Sequence, residues 1–277
     1  MSAQPVNTAL PMPHQKPAFD AIAQDYDQIF THSLLGRAQR TLVHAALRDH
    51  FRKGQRILDL NCGTGEDAVY LASQGMSVLA CDVSEGMIDV ARRKAASHAF
   101  KPRIEFAVCA NENLDSLQDR APFDGVLSNF GGLNCTADLA AVARTLSRLV
   151  RPGGEAFLCV IGRYCAWETF WYSIRGQWGK AFRRMSAGGA EAKIGEANLR
   201  VYYPTVREFR DAFAPSFKLV SWRGVGVILP PSWMEPLFHH RYSLVTLLTH
   251  FDRTLGAVPV FRGVADHILF HFVREGQ

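Results

Sequence analysis

No apolar run in this chain reaches the roughly 18 residues that a helix needs to cross a bilayer, and the first twenty residues lack the basic-then-apolar layout of a signal peptide. A soluble, cytoplasmic chain with no transmembrane segment is expected. The six cysteines include no C-x-x-C pair. Cys81, Cys109 and Cys159 stand in apolar, strand-like runs where cysteine behaves as a small hydrophobe, so neither disulfides nor a metal site is implied. Internal repeats and low-complexity tracts are missing as well. Charge of one sign is in modest excess, with 31 Lys and Arg against 26 Asp and Glu. Nine basic and five acidic residues fall within 161–215. That stretch reads either as a cap that attracts an anionic substrate or as a plain solvated basic face. What the chain does have is 277 residues, 48% of them apolar, enough to bury the core of one large α/β domain.

Its most informative stretch is residues 57–66, I-L-D-L-N-C-G-T-G-E. Ile57, Leu58 and Leu60 form a short buried-strand pattern ending near Asp59, and a loop of small residues then opens a helix near Glu66. Gly63 and Gly65 can take positive φ and let the backbone approach a ligand with no Cβ in the way. Asn61 is the non-glycine residue that best tolerates the same left-handed geometry. The next strand ends in Asp82, 23 positions after Asp59, where an acid can accept both ribose hydroxyls of an adenosine. Together these are the parts of a nucleotide-cofactor site. The run from Gly63 to Ala68 also satisfies G-x-G-x-x-A, so a nicotinamide-dependent oxidoreductase is the rival reading. A non-catalytic cofactor-binding protein is another.

Strands near 56–60, 77–81, 104–108, 124–129 and 154–161 alternate with helical stretches, which argues for a parallel sheet covered on both faces. Asp59, Asp82, Asn111 and Asn129 fall near the carboxyl ends of those strands, where ligands bind in such sheets. Residues 217–222 read as a sixth strand and 266–273 as a seventh. Residues 163–203, after the fifth strand, and 225–265, after the sixth, are rich in Trp, Tyr and Phe and are read as two insertions forming one helical, aromatic cap. Helical spacing runs over 166–185, as one helix or two short ones, with a second helical segment over 232–252.

At the Asp59 to Gly65 loop the chain resembles the class I S-adenosylmethionine-dependent methyltransferases, whose pattern is acid-x-Gly-x-Gly-x-Gly, with Asn61 replacing the first glycine. The segment from Asp82 to Ala91 resembles their second motif, the run from Phe123 to Phe130 their fourth strand, and the run from Leu149 to Gly154 their turn into the fifth. The resemblance covers roughly residues 19–160 and is to the bacterial quinone-biosynthesis and natural-product branch. It implies a Rossmann-like, mostly parallel sheet of seven strands with helices on both faces, and one domain over 1–277 with a mobile tail at 1–16. S-adenosylmethionine is the implied cofactor and S-adenosylhomocysteine its product. Asp82 is placed on the ribose, Val83 and Met87 near the adenine, and Asn111 or Glu112 at the adenine amino group, because alanine stands where the family carries an acid. Tyr26 lies over the methionine end.

The implied reaction is methyl transfer to the oxygen, nitrogen or carbon of a small, largely apolar acceptor. Arg163, Trp167, Trp171 and Tyr203 are the expected acceptor contacts. Should a base be needed, His14, Tyr26, His32, His239, His240 and Glu168 are candidates; the neighbours His239 and His240 cannot both face one way on a helix. Ser128-Asn129-Phe130-Gly131 lacks the Asn/Asp-Pro-Pro-aromatic run of enzymes that methylate DNA, and no RNA-binding module is apparent. No nucleic-acid partner is expected, and a homodimer is compatible with the chain.

Overall fold

A computed structural model describes residues 17–276. Five strands run parallel: β1 (Arg56–Leu60), β2 (Ser77–Asp82), β3 (Ile104–Val108), β4 (Phe123–Ser128) and β5 (Val150–Ile161). They are joined to β8 (Phe217–Val225) and β9 (His267–Arg274) in one seven-stranded sheet of order β3-β2-β1-β4-β5-β9-β8. Only β9 runs against its neighbours, pairing Phe157 with His271 on one side and Leu219 with Phe272 on the other. The order reverses between β1 and β4, so the loops leaving those two strands diverge and open a crevice at their carboxyl ends.

Both faces are buried along the central strands β1, β2 and β4, which is why these are apolar at successive positions. Ile57 packs on one side with α1 (Leu34–Leu47) and α2 (Glu66–Ser73), while Leu58 and Leu60 pack on the other with α4 (Leu139–Leu149) and α7 (Val206–Phe213). Helix starts carry the expected chemistry. In α3 (Glu85–Ala96) the Ser84 hydroxyl accepts from Met87 N at 3.1 Å, and α7 opens on a capping box of Thr205 and Glu208.

The insertion after β5 differs from the expected helical cap. Two short helices, α5 (Ala166–Ser173) and α6 (Trp178–Ala181), are followed by a hairpin of β6 (Ala190–Ile194) and β7 (Ala197–Val201). Alternation explains it. Ala192 and Ile194 face the same way as Leu199 and Val201, Glu191, Lys193 and Arg200 face out, and Gly195 at φ 59° makes the tight turn that a two-residue connection requires. The insertion after β8 is helical, with α8 (Glu235–Phe238) and α9 (Tyr242–Leu255). Asp252 anchors α9 by accepting from the backbone N–H groups of Gly226, Val227, Ile228 and Leu229 at 2.7 to 3.1 Å. Among the described residues no helix is long and apolar enough to cross a membrane.

Candidate functional site

The loop after β1 is held in left-handed geometry at three positions, Asn61 (φ 59°), Gly63 (53°) and Gly65 (76°). Each has a separate cause. A Cβ on Gly65 would stand 2.8 Å from Ala91 Cβ, so glycine there lets α2 pack on α3. Nothing lies within 4 Å of where a Cβ on Gly63 would stand: that position faces open cleft, and its backbone is free for a ligand. Asn61 is pinned by its side chain, which donates to Asn111 Oδ1 at 3.0 Å and accepts from the Ser128 hydroxyl at 3.1 Å.

Asp82, at the end of β2, accepts from Gly63 N and from Ser84 N, each at 2.9 Å. Burial holds its carboxyl above the ordinary aspartate range in spite of these donors. Beneath the loop, Asp59 is 1% exposed, and its Oδ2 has no hydrogen-bond partner. Burial, helped by nearby Asp67, pushes that carboxyl well up. A buried carboxyl with an unpartnered oxygen avoids the cost of its charge by holding its proton.

The cleft has a volume of about 300 Å³. Its walls are Gly63, Asp82 and Met87 on one side, Asn129, Phe130 and Gly131 after β4, Phe19 and Tyr26 from the segment before α1, and the inner face of the β6–β7 hairpin with Tyr203 as a roof. A second recess begins at Val83, the residue after Asp82, and is lined by Cys109, Ala110, Glu112 and Asn113.

Several residues that sequence reasoning passed over hold this assembly in place. Asp67, in the first turn of α2, receives Arg40 in a short ion pair, His44 at 2.6 Å and the Asn129 amide at 3.1 Å. Arg40 keeps its carboxyl far below the ordinary range, and the Arg40 guanidinium lies 4.9 Å from the Phe130 ring centre. Asn134 donates to Ile161 O and Tyr202 O and accepts from Ile161 N, all within 3.1 Å, locking the end of β5 to the exit of the hairpin. The segment before α1 is laced down as well: Asp20 accepts from Gly86 N at 3.1 Å, and Asp27 meets Thr64 at 2.5 Å and Lys94 at 2.8 Å. The long-range partners of Asp67 and Asn134 carry no local signal.

Other expected positions lie elsewhere. Arg163 is not in the cleft: its guanidinium donates to Tyr203 O at 2.7 Å and pairs with Glu208 at 3.2 Å, bracing the chain behind the roof. Trp167 is turned into the core and donates from Nε1 to Ile228 O at 3.1 Å. Trp171 packs against Trp233 and under Arg175. These tryptophans join the two insertions to each other, which satisfies their apolar area without a ligand. His239 stands outside the cleft on the exposed turn between α8 and α9, its Nδ1 2.9 Å from Pro236 O, and with His32 it lines a groove along α1 and α9. Glu168 is consumed by Arg183 and Arg184. Asn111 spends its amide on Asn61 and Thr136, leaving Glu112 beside the Val83 recess. His14 lies outside the described residues.

A family model described as a methyltransferase domain matches residues 57–154. The chain is 31% identical over 180 residues to the demethylmenaquinone methyltransferase of Symbiobacterium thermophilum, over 57% of this chain and 68% of that protein. It is 29% identical over 140 residues to the tRNA 5-carboxymethoxyuridine methyltransferase of Escherichia coli, over 49% of this chain and 53% of that one. It thus spans about two thirds of the first relative and about half of the second. Among solved structures, the CcbJ methyltransferase from Streptomyces caelestis superposes with a TM-score of 0.61 at 16% identity, over 94% of this chain and 99% of that chain, a likeness of fold. The chain belongs to the class I S-adenosylmethionine-dependent methyltransferases. Its cofactor is accordingly S-adenosylmethionine, and the nicotinamide alternative falls: the G-x-G-x-x-A match sits inside the methyltransferase loop. The residues present fit that cofactor. Asp82 offers free lone pairs at the cleft wall, and the Gly63 backbone is uncovered.

Proposed function

We propose that this chain methylates a small, largely apolar acceptor enclosed between the cofactor loop and the β6–β7 hairpin. The observation that carries this reading is the roof: Ala192, Ile194, Leu199 and Val201 turn apolar side chains into the cleft, opposite the polar wall of Asp82 and Asn129. A pocket that is mostly apolar with a few placed polar groups suits a small organic molecule. The tRNA methyltransferase relative makes RNA the rival acceptor; a roofed cleft of about 300 Å³ speaks against a stacked polynucleotide.

Bound in the cleft, the cofactor would supply a methyl carbon activated on a sulfonium centre, open to in-line attack by the acceptor atom with the neutral thioether, S-adenosylhomocysteine, as leaving group. The protein's part is to hold, orient and dry the site. Asp82 and the Gly63 backbone fix the adenosine end, and Val83, Cys109 and Glu112 border the recess suited to the base. Phe130 and Ile161 form the floor, and the hairpin excludes water. Tyr26 acts as a hydroxyl donor and not as a base, because burial pushes its phenol up to about 12. The Cys135 thiol, raised to about 11, is no better. The acceptor therefore brings its own nucleophilicity, as an amine, an activated carbon or an acidic enol.

Labelled S-adenosylmethionine incubated with the protein and a fractionated bacterial extract tests the reading. Label is expected in the organic-soluble, low-mass fraction. Label confined to RNA or protein would overturn it.

A further inference from the structure

Away from the cleft, three side chains from distant parts of the chain converge on one face of the sheet. Glu155 on β5 and His271 on β9 share that face, since Phe157, two residues after Glu155, is the register partner of His271. His50 arrives from the turn after α1. His50 Nδ1 lies 3.1 Å and His271 Nε2 lies 3.4 Å from the same oxygen, Glu155 Oε1, and one donor atom from each of the three residues falls within 4.8 Å of the others.

We propose that His50, Glu155 and His271 bind a divalent transition-metal cation of the zinc type. A tetrahedral zinc with bonds of about 2.0 to 2.2 Å has donor-to-donor edges of roughly 3.3 to 3.6 Å. The two distances to Glu155 Oε1 sit at or just under that edge, so the donors are nearly in place before any ion enters. A plain hydrogen-bonded triad explains less. His271 is 6% exposed, and its Nε2, 3.4 Å from Glu155 Oε1, makes no well-aligned hydrogen bond, while His50 Nδ1 stands within hydrogen-bond distance of the same oxygen. The ring is clamped by stacking on Phe157, with centroids 4.4 Å apart and planes 7° apart, so the orphaned nitrogen cannot rotate away.

Two imidazoles and a carboxylate suit zinc, cobalt or nickel better than magnesium or calcium. A recess of about 240 Å³ opens over the cluster and leaves further coordination positions to water. Arg223 and Arg253 also line it. The Arg223 guanidinium is turned onto the Arg253 carbonyl at the end of α9, in a short hydrogen bond, and so is engaged away from the three donors. The ion would tie the turn after α1 to β5 and β9 without touching the cleft, and the proposal is independent of the methyl-transfer reading.

The test uses chelator-treated full-length protein. Cobalt titration should produce the visible absorption of a low-coordinate nitrogen and oxygen site. Zinc at about a hundred times its dissociation constant should raise the melting temperature by about 5 °C. Both effects should vanish in His50→Ala and in Glu155→Gln, with S-adenosylhomocysteine affinity unchanged as proof that these variants fold. Absence of a cobalt spectrum and of a zinc shift in the unaltered protein would overturn the proposal, as would equal shifts in the variants.

Discussion

Removing the Asp82 carboxylate separates two of its duties, and the structure says how large each is. Both oxygens already accept backbone N–H bonds, from Gly63 and Ser84 at 2.9 Å; their remaining lone pairs face the cleft. Asp82→Ala therefore loosens the loop and deletes the ribose acceptor together. Hydrogen bonds to a charged group contribute about 1.5 to 3 kcal/mol each, so S-adenosylhomocysteine affinity should fall roughly 10- to 150-fold by calorimetry. Affinity alone does not tell loop damage from a lost contact. A cycle with the 2′-deoxy analogue of the ligand does: the unaltered protein should discriminate against it by about 1.5 kcal/mol, and Asp82→Ala should scarcely discriminate. Asp82→Asn keeps one carbonyl acceptor but turns an amide donor towards the other backbone N–H, so it should recover at most half of the loss. An Asp82→Ala protein that still discriminates as the unaltered protein does would refute the assignment of this carboxylate to the ribose.

The roof and the buried acid give two further tests. Leu199→Glu places a charge on the inner face of the hairpin, so turnover should drop by about tenfold or more, while S-adenosylhomocysteine affinity stays within about twofold; a parallel loss of both would move the acceptor elsewhere. Asp59 has a folded-state pKa raised above its ordinary 3.8, so the folded protein keeps a proton that the unfolded chain has lost, and stability falls as pH rises from that ordinary value through the raised one. Asp59→Asn should remove this decline and raise the ligand-free melting temperature at pH 8, by an amount on the order of 1 to 3 kcal/mol in stability. An unchanged pH profile in the variant would show that the Asp59 charge is offset by other means.

The sheet was legible because each of its seven strands is a short apolar run bounded by a turn, and because Asp59, Gly63, Gly65 and Asp82 act through spacing along one loop and one strand. The roof was not. Ala, Glu and Lys are poor strand formers, so residues 190–201 fell within the expected cap with no strand assigned to them, even though A-E-A-K-I-G-E-A-N-L-R-V alternates cleanly around a glycine turn. Trp167 and Trp171 misled for another reason: aromatic composition says that area must be buried, and is silent on whether a ligand or another insertion buries it. Arg163 and Asn134 depend on partners across the fold, Tyr203 O and Tyr202 O respectively. So does the triad at positions 50, 155 and 271, and no local pattern encodes such meetings.

That unevenness has a physical origin in how the two halves of the cleft are built. The cofactor side is made largely of backbone, with left-handed turns, exposed N–H groups and one acid at a strand end, and few residues can supply such geometry. The acceptor side is made of side chains carried by the hairpin, and many sequences can present an apolar face. A fold shared at a TM-score of 0.61 with only 16% identity is what such a division permits. The two sides are nevertheless joined in this chain. Asp20 sits on the start of α3 and Asp27 on the cofactor loop, while Ala21, between them, lies where a Cβ on Gly195 at the tip of the hairpin would stand only 3.1 Å away. One short segment before α1 thus rests on the cofactor loop and supports the roof, so the order imposed by a ligand on one side bears directly on the shape of the other.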